Sequence, residues 1–477
     1  MLRYRNLKGT YHMSNAVRIT DRRRSLILLN ILITCIASSF LATALSTALP
    51  PIIANYNIDI ATGQWLTSAY SLAMGIMMPL TAFLITRFPT KNLYLVAIAL
   101  FLIGLAVCIF APNFTVMMVG RILQACSNGI TTSMAQVVLL SIYPPEKQGA
   151  VMGWYGLSVG AAPVIAPTLA GILVDSLGWK TIFIIPFFIL LLSLICAFVA
   201  FDNVLETRKQ SFDIISFILS GLGFGGITLG VGNISSSGIT NPITFIPLVI
   251  GIVTIIIFVW RQLSLEQPFL ELRIFRYKKF AVSVIGSMIL YFIMMGGSLL
   301  MPVYVQSVLG RSATISGLVT LPGSLVMAFV SPVAGKLYNK MGMKKLAVIG
   351  SIGLLLGSIG MSLVGLDTPL IVPALLNALR CIAIGCLMMP FVTWGIGSLE
   401  NKHTAHGSAL LTSLRTISGA VGSAVFVGIM NAVAVSSAAQ YGEKAGIHGM
   451  NIAFVVMSVV SVIMVMFAVI GISSKER

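Results

Sequence analysis

The sequence predicts an all-α polytopic membrane protein with fourteen transmembrane helices. Three observations carry that expectation. Of 477 residues, 57% are hydrophobic and 9% charged, with a mean hydropathy of +0.99; soluble chains carry about 25% charged residues. The apolar residues gather into runs of about 20, the length that crosses a hydrocarbon core about 30 Å thick. The basic residues stand between alternate runs.

In order, the runs fall near 26–49, 64–86, 93–110, 115–139, 149–174, 181–201 and 213–232. They continue near 243–260, 281–305, 313–335, 346–365, 371–397, 406–435 and 451–473. Lipid offers the backbone no hydrogen-bond partner, so each run must be helical. The first follows Arg22, Arg23 and Arg24 as a signal peptide would. Thirteen further runs and polar residues at helical spacing mark it as a retained span.

Orientation follows from Lys and Arg. With the N-terminus cytoplasmic, cytoplasmic segments hold 24 of them and the opposite loops three, Lys180, Arg311 and Lys444. This is the positive-inside pattern. It accounts for the net charge of +17 without nucleic acid as a partner. The expected setting is the plasma membrane, with both termini cytoplasmic.

The six cysteines all lie in apolar runs, and the chain has neither a CxxC pair nor a Cys/His cluster. That pattern points to packing, with no metal and no cofactor expected. No GxxxxGK[ST] loop is present, so a fused ATPase is excluded and transport would draw on an ion or substrate gradient. No embedded acid/base pair or nucleophile constellation supports an enzyme.

The runs repeat. After the second, the chain reads AFLITRFPTK (82–91), and after the tenth GKLYNKMGMKK (335–345). Arg121 in the fourth run matches Arg380 in the twelfth, and Gly149 and Gly407 open the fifth and thirteenth. Six-helix parallel repeats follow, with two spans inserted. The expected division is a cytoplasmic segment (1–25), an N-terminal six-helix bundle (26–201), two inserted spans (202–260), a cytoplasmic linker (261–280), a C-terminal six-helix bundle (281–473) and a tail (474–477).

At this level the chain resembles the fourteen-span drug/proton antiporter branch of the major facilitator superfamily. FLATALSTALP (40–50) is similar to that family's first-span LDxTIVNVALP, and AFLITRFPTK to its loop GxLADRxGRK. Arg121-Ile-Leu-Gln124 is similar to RxxQ of the fourth span, and Ala166-Pro167-Thr-Leu-Ala170-Gly171 to GPxxGG of the fifth. PFLELRIFR (268–276) is similar to the family linker PLLDLRLFR. The resemblance implies a major facilitator fold of two six-helix bundles plus two inserted spans. It implies proton-coupled export of amphipathic or toxic small molecules by alternating access. The partners expected are such a substrate, protons and membrane lipids, with the chain acting as a monomer.

Arg121, Gln124, Asn128, Thr132 and Gln136 recur every three or four residues and so share one helix face. A polar stripe must face a cavity or another helix, and an intramembrane Arg costs about 2.5–3.5 kcal/mol on insertion scales. Of these, Arg121, Gln124, Asn128 and Gln136, with Thr43 and Ser46 of the first run and Arg380 and Arg415, are the candidate substrate cavity. Packing is the plainer role for the hydroxyls. The candidate gate comprises Arg87, Lys91, Asn339, Lys340, Gly342 and Lys344 of the paired loops and Pro163 and Pro167 of a bent fifth span. Where the family loop carries its acid, this chain has Thr86 and Asn339, which leaves a neutral latch or one using helix carbonyls. Topology alone would also require these cations.

No Asp or Glu lies in the middle of a run; each falls between runs or at a boundary. Leu41 stands where the family has Asp, and the four histidines read as loop residues. A coupled proton needs a titratable group. The boundary acids Asp213 and Asp59 are the candidates. Three embedded arginines without an embedded acid also favour a second expectation: a transporter or flippase of an anionic or zwitterionic amphiphile with weak or atypical proton coupling.

Overall fold

The computed structural model describes residues 20–472 apart from 59, 161, 206, 208–212, 239, 267 and 312. The described residues are helical throughout, with short connections. The first helices are α1 (Asp21–Tyr56), α2 (Ile60–Arg87), α3 (Thr90–Phe110) and α4 (Phe114–Ile142). The expected bent fifth span appears as two helices, α5 (Pro145–Gly160) and α6 (Ala162–Leu177). Then come α7 (Thr181–Ala200), α8 (Ile214–Ser237), α9 (Pro242–Ser264) and α10 (Lys278–Val303), the last continued by a π-turn, Tyr304–Val308. The chain ends with α11 (Ala313–Ser362), α12 (Ile371–Ile396), α13 (Thr404–Ser436), the short α14 (Ala438–Tyr441) and α15 (Ala445–Ile470).

Eleven helical segments of the described residues are long and apolar enough to cross a membrane. One, within α11, is two arms: Gly342 has φ 77° and ψ 167°, outside the helical basin and open to a residue without Cβ. Helix ends outrun the apolar runs. α1 reaches from Asp21 to Tyr56 where 26–49 was expected, because a helix continues past the bilayer while its backbone bonds can be met. The same effect corrects two histidines expected in loops: His406 lies in the first turn of α13 and His448 in that of α15.

Helices α1 to α7 pack on one another, chiefly as α3 on α4, α2 on α4, and α1 on α6 and α7. Helices α10 to α15 do likewise, chiefly as α11 on α12 and α15 and α10 on α13. The seam between the groups is α5 on α11 and α2 on α13, and α8 lies along α2 and α13. α9 is bound mainly to α8 and turns Ile246, Val249, Ile250, Val253, Ile256 and Trp260 outward. In lipid that face needs no partner.

One end of the bundle carries the segment 261–277, here called the linker end. Asp213 caps α8 by accepting from Ser216 N at 3.2 Å. Gln262 donates to Ser216 Oγ at 2.6 Å and accepts from Leu270 N at 3.0 Å. Phe269 is buried, stacked on Phe83 of α2 with ring centroids 6.3 Å apart. Glu271 N donates to His406 Nδ1 of α13 at 3.3 Å. The segment thus touches both helix groups.

Candidate functional site

Of the three arginines read from the sequence, two lie in buried polar clusters and the third stands apart. The first cluster joins α2 and α4. Arg121 is 0% exposed, and its guanidinium carbon lies 4.2 Å from the Tyr70 ring centroid. Its Nη1 donates to Gln124 Oε1 at 2.8 Å and its Nε to Leu66 O at 3.4 Å, while Nη2 has no partner. Asn128 Nδ2 donates to Tyr70 Oη at 2.8 Å, and Thr132 Oγ1 to Asn128 Oδ1 at 3.3 Å. Arg121, Gln124, Asn128 and Thr132 of the stripe therefore form one network around Tyr70, which offsets much of the cost of burying the guanidinium.

Gln136, one turn further, faces elsewhere. Its Oε1 accepts from Ser408 Oγ of α13 at 3.0 Å, and Ser408 also approaches Ser133 O at 3.2 Å. Arg415, two turns beyond Ser408, is 2% exposed and lies 4.8 Å from the Tyr291 ring centroid of α10. Tyr155 of α5 donates to Thr132 O at 3.1 Å and stands beside both Gln136 and Arg415. This second cluster spans the seam between the helix groups.

Arg380 stands apart from both. It is 2% exposed, donates from Nη2 to Met457 Sδ at 3.2 Å and lies 5.4 Å from the Phe454 ring centroid, both on α15. The three arginines thus occupy separate settings, each over an aromatic ring. Spacing gave the Arg121 face but could not give the rings, since Tyr70, Tyr291 and Phe454 come from other helices.

At the linker end, Asn339 Nδ2 donates to Glu146 O across the seam. Gly149 and Gly335 meet there backbone to backbone, and a Cβ on either would collide with the other's carbonyl. A Cβ on Gly153 would lie 2.7 Å from Pro332 Cα. Small residues permit this approach. Lys91 turns to its own group: Nζ donates to Phe198 O in the last turn of α7 at 2.7 Å, and its N to Asn203 Oδ1 at 3.1 Å. A cation there meets the negative end of the helix dipole. Arg87 and Lys340 are exposed and Lys344 half-buried, near the turn at Gly342.

Asp213 is paired with Arg261, whose Nη2 donates to Oδ1 and Oδ2 at 3.1 Å each. Burial raises its pKa, but bonds from Ser216 and Arg261 outweigh that and hold it below the usual carboxylate value. The geometry accounts for it as cap and ion-pair partner. Asp59 lies outside the described residues, as do the side chains of Thr43, Ser46, Pro163 and Pro167. Among the described residues no acidic side chain lies at mid-helix depth, and no cluster of three metal-ligating side chains occurs.

Comparison with known proteins gives one consistent result. The family described as Major Facilitator Superfamily matches residues 31–423. The uncharacterized MFS-type transporter YcnB of Bacillus subtilis (strain 168) is 36% identical over 434 residues, covering 90% of this chain and 92% of that protein. The lincomycin resistance protein LmrB of the same organism is 35% identical over 408 residues, 85% of each chain. Among solved structures, the human organic anion transporter MFSD10 (TETRAN) superposes with a TM-score of 0.63 at 13% identity, covering 93% of this chain and 100% of that one. At that identity the likeness is one of fold.

Proposed function

Because the chain belongs to the major facilitator superfamily, we propose that it is a secondary active exporter of amphipathic or toxic small molecules that works by alternating access. It crosses the plasma membrane fourteen times as a monomer, with the linker end and both termini cytoplasmic. The two arms of α11 count as two crossings, and α5 with α6 as one.

The observation that carries the reading is the seam. Between the two helix groups, the described linker-end contacts include a neutral hydrogen bond at Asn339, another at Ser408 and the glycine-to-glycine approach of α5 and α11. Such contacts close one end without deep desolvation of charge, so they can part and re-form. Arg87, Lys91, Lys340 and Lys344 flank this gate and Gly342 forms its turn, with Pro163 and Pro167 of the fifth span assigned to the same gating element. Arg121, Gln124, Asn128, Gln136, Thr43, Ser46, Arg380 and Arg415 belong to the substrate pathway and its supporting network.

Lincomycin, named for the relative LmrB, is the probe of choice. In everted vesicles carrying this chain, an imposed proton gradient is expected to drive lincomycin accumulation, and collapse of the gradient to stop it. Accumulation no greater than in empty vesicles sinks the reading. A second reading, transport of an anionic or zwitterionic amphiphile with weak proton coupling, is favoured by three buried arginines with no described acid at their depth.

A further inference from the structure

The seam cluster holds more donors than it can satisfy. Ser408, Thr412 and Arg415 recur at spacings of four and three and share one face of α13. That face meets Ser133 and Gln136 of α4 through the Ser408 hydroxyl. It meets Tyr291 of α10 through the Arg415 guanidinium, and Ser287 lies one turn from Tyr291 on the same α10 face. Six buried polar atoms here have no hydrogen-bond partner: Arg415 Nε and Nη1, Gln136 Nε2, Thr412 Oγ1, Ser133 Oγ and Ser287 Oγ. All six carry an N–H or O–H, and their residues are at most 2% exposed. Native interiors rarely leave such groups unpaired, and a cluster of them asks what pairs with it.

Charge selects the partner. The helices bearing these groups are α4, α10 and α13, which carry no acidic residue, and α5 beside them carries one, Glu146, exposed in its first turn. Nothing nearby balances Arg415. A bound cation would face a desolvated guanidinium, and a neutral hydroxyl would answer one donor at a time. An oxyanion accepts several N–H and O–H bonds at once and neutralises the charge. Arg121 and Arg380 do not offer this: each spans neighbours within its own helix group and keeps a single unpartnered nitrogen.

We infer that the α4–α13 seam, through Arg415, Gln136 and Thr412, binds the carboxylate or phosphate head of an anionic amphiphile. The inference rests on the transport reading and names the chemistry of its substrate. Arg415 supplies the charge, Gln136 and Thr412 direct neutral donors, and the Tyr291 ring holds the guanidinium in plane. Because the cluster bridges both helix groups, an anion bound there ties them together and stabilises the closed seam.

The test is equilibrium binding to the purified full chain in neutral detergent, with no gradient. The probes are pyrenebutyrate and a pyrenebutyl trimethylammonium salt, read by fluorescence anisotropy. Pyrenebutyrate is expected to bind about tenfold or more tightly than the ammonium probe. Arg415→Gln is expected to weaken pyrenebutyrate by about thirtyfold or more, the lower range for truncating a desolvated charge pair. Arg415→Lys should fall between, keeping the charge without the planar donors. Should Arg415→Gln not elute as a single folded species, Gln136→Leu with Thr412→Val decides, with an expected loss of about fivefold or more. Equal binding of the two probes, or unchanged pyrenebutyrate binding in the folded variants, overturns the inference. Displacement by phosphatidylglycerol would mark a lipid headgroup as the source of the oxyanion, and its absence a free amphiphile; both keep the site. Lincomycin export without charge-selective binding sinks this inference alone, whereas charge-selective binding without export of any probe sinks the transport reading alone.

Discussion

The hydroxyl of Ser408 on α13 lies 3.0 Å from the side-chain oxygen of Gln136 on α4, a neutral hydrogen bond between the two helix groups. A neutral bond contributes about 1 kcal/mol net. Ser408→Ala should therefore raise the population open at the linker end about fivefold. Spin labels at positions 147 and 340, in a background without native cysteines, would read this as growth of the longer distance. An unchanged distribution would show that the bond does not hold the seam.

Gly149 and Gly335 set a harder limit. Each backbone occupies the space a Cβ on the other would need, so Gly335→Val should keep the linker end from closing. Turnover is expected to fall about tenfold or more, the scale of a blocked conformational step, while the variant stays folded. A variant with normal transport would mean that this approach is not part of the cycle.

Tyr70 serves two neighbours, its ring under Arg121 and its hydroxyl to Asn128. Tyr70→Phe removes one of these and Tyr70→Leu both. The expected losses are about 1 kcal/mol for the bond and about 2 kcal/mol more for the desolvated cation–π contact. Thermal unfolding in detergent should rank wild type above Tyr70→Phe and that above Tyr70→Leu. Equal midpoints for the two variants would remove the cation–π role.

The Asp213–Arg261 pair predicts a pH dependence. The Asp213 pKa lies below its ordinary value of 3.8 in the folded chain. A depressed acid stabilises the fold above its unfolded pKa, and that stability is lost as pH falls through the folded value. The difference in midpoint between wild type and Asp213→Asn should be constant near neutrality and shrink below about pH 4. Gradient-driven transport should persist in the variant, because a paired cap held ionised does not exchange protons at working pH. Loss of gradient dependence in Asp213→Asn would instead make it the coupling acid.

Much of this arrangement was legible in the sequence for a simple reason. Lipid forces helices and strips charge from them, so the apolar runs and the basic connections are written in composition. The Arg121 stripe was legible because helical spacing fixes a face. What that face meets was not. Tyr70, Tyr291 and Phe454 lie in other helices, and no spacing within one helix reveals which ring receives which guanidinium. The split of the stripe, with Gln136 turning to Ser408, has the same cause. His406 read as a loop residue because it stands among polar residues at the very edge of its apolar run, where α13 has already begun at Thr404.

The linker supplies the last prediction. Phe269 stacks on Phe83 of α2, while two residues on the Glu271 N–H meets His406 of α13. One short segment is thus fastened to both sides of the seam, and Gln262 fastens it to α8 and α9 as well. Moving the groups apart at this end must strain or release it. Phe269→Ala removes a fully buried ring, a loss of about 3–5 kcal/mol where the site cannot collapse. Because the ring bears on the linker, part of that loss should fall on the closed conformation alone. The variant is expected to unfold at lower temperature and also to be cut by trypsin after Arg273 faster than wild type, and faster still when the linker end opens. Cleavage as slow as in wild type would mean that the segment is held by its own short 3-10 turn, Leu272–Arg276, and not by the seam.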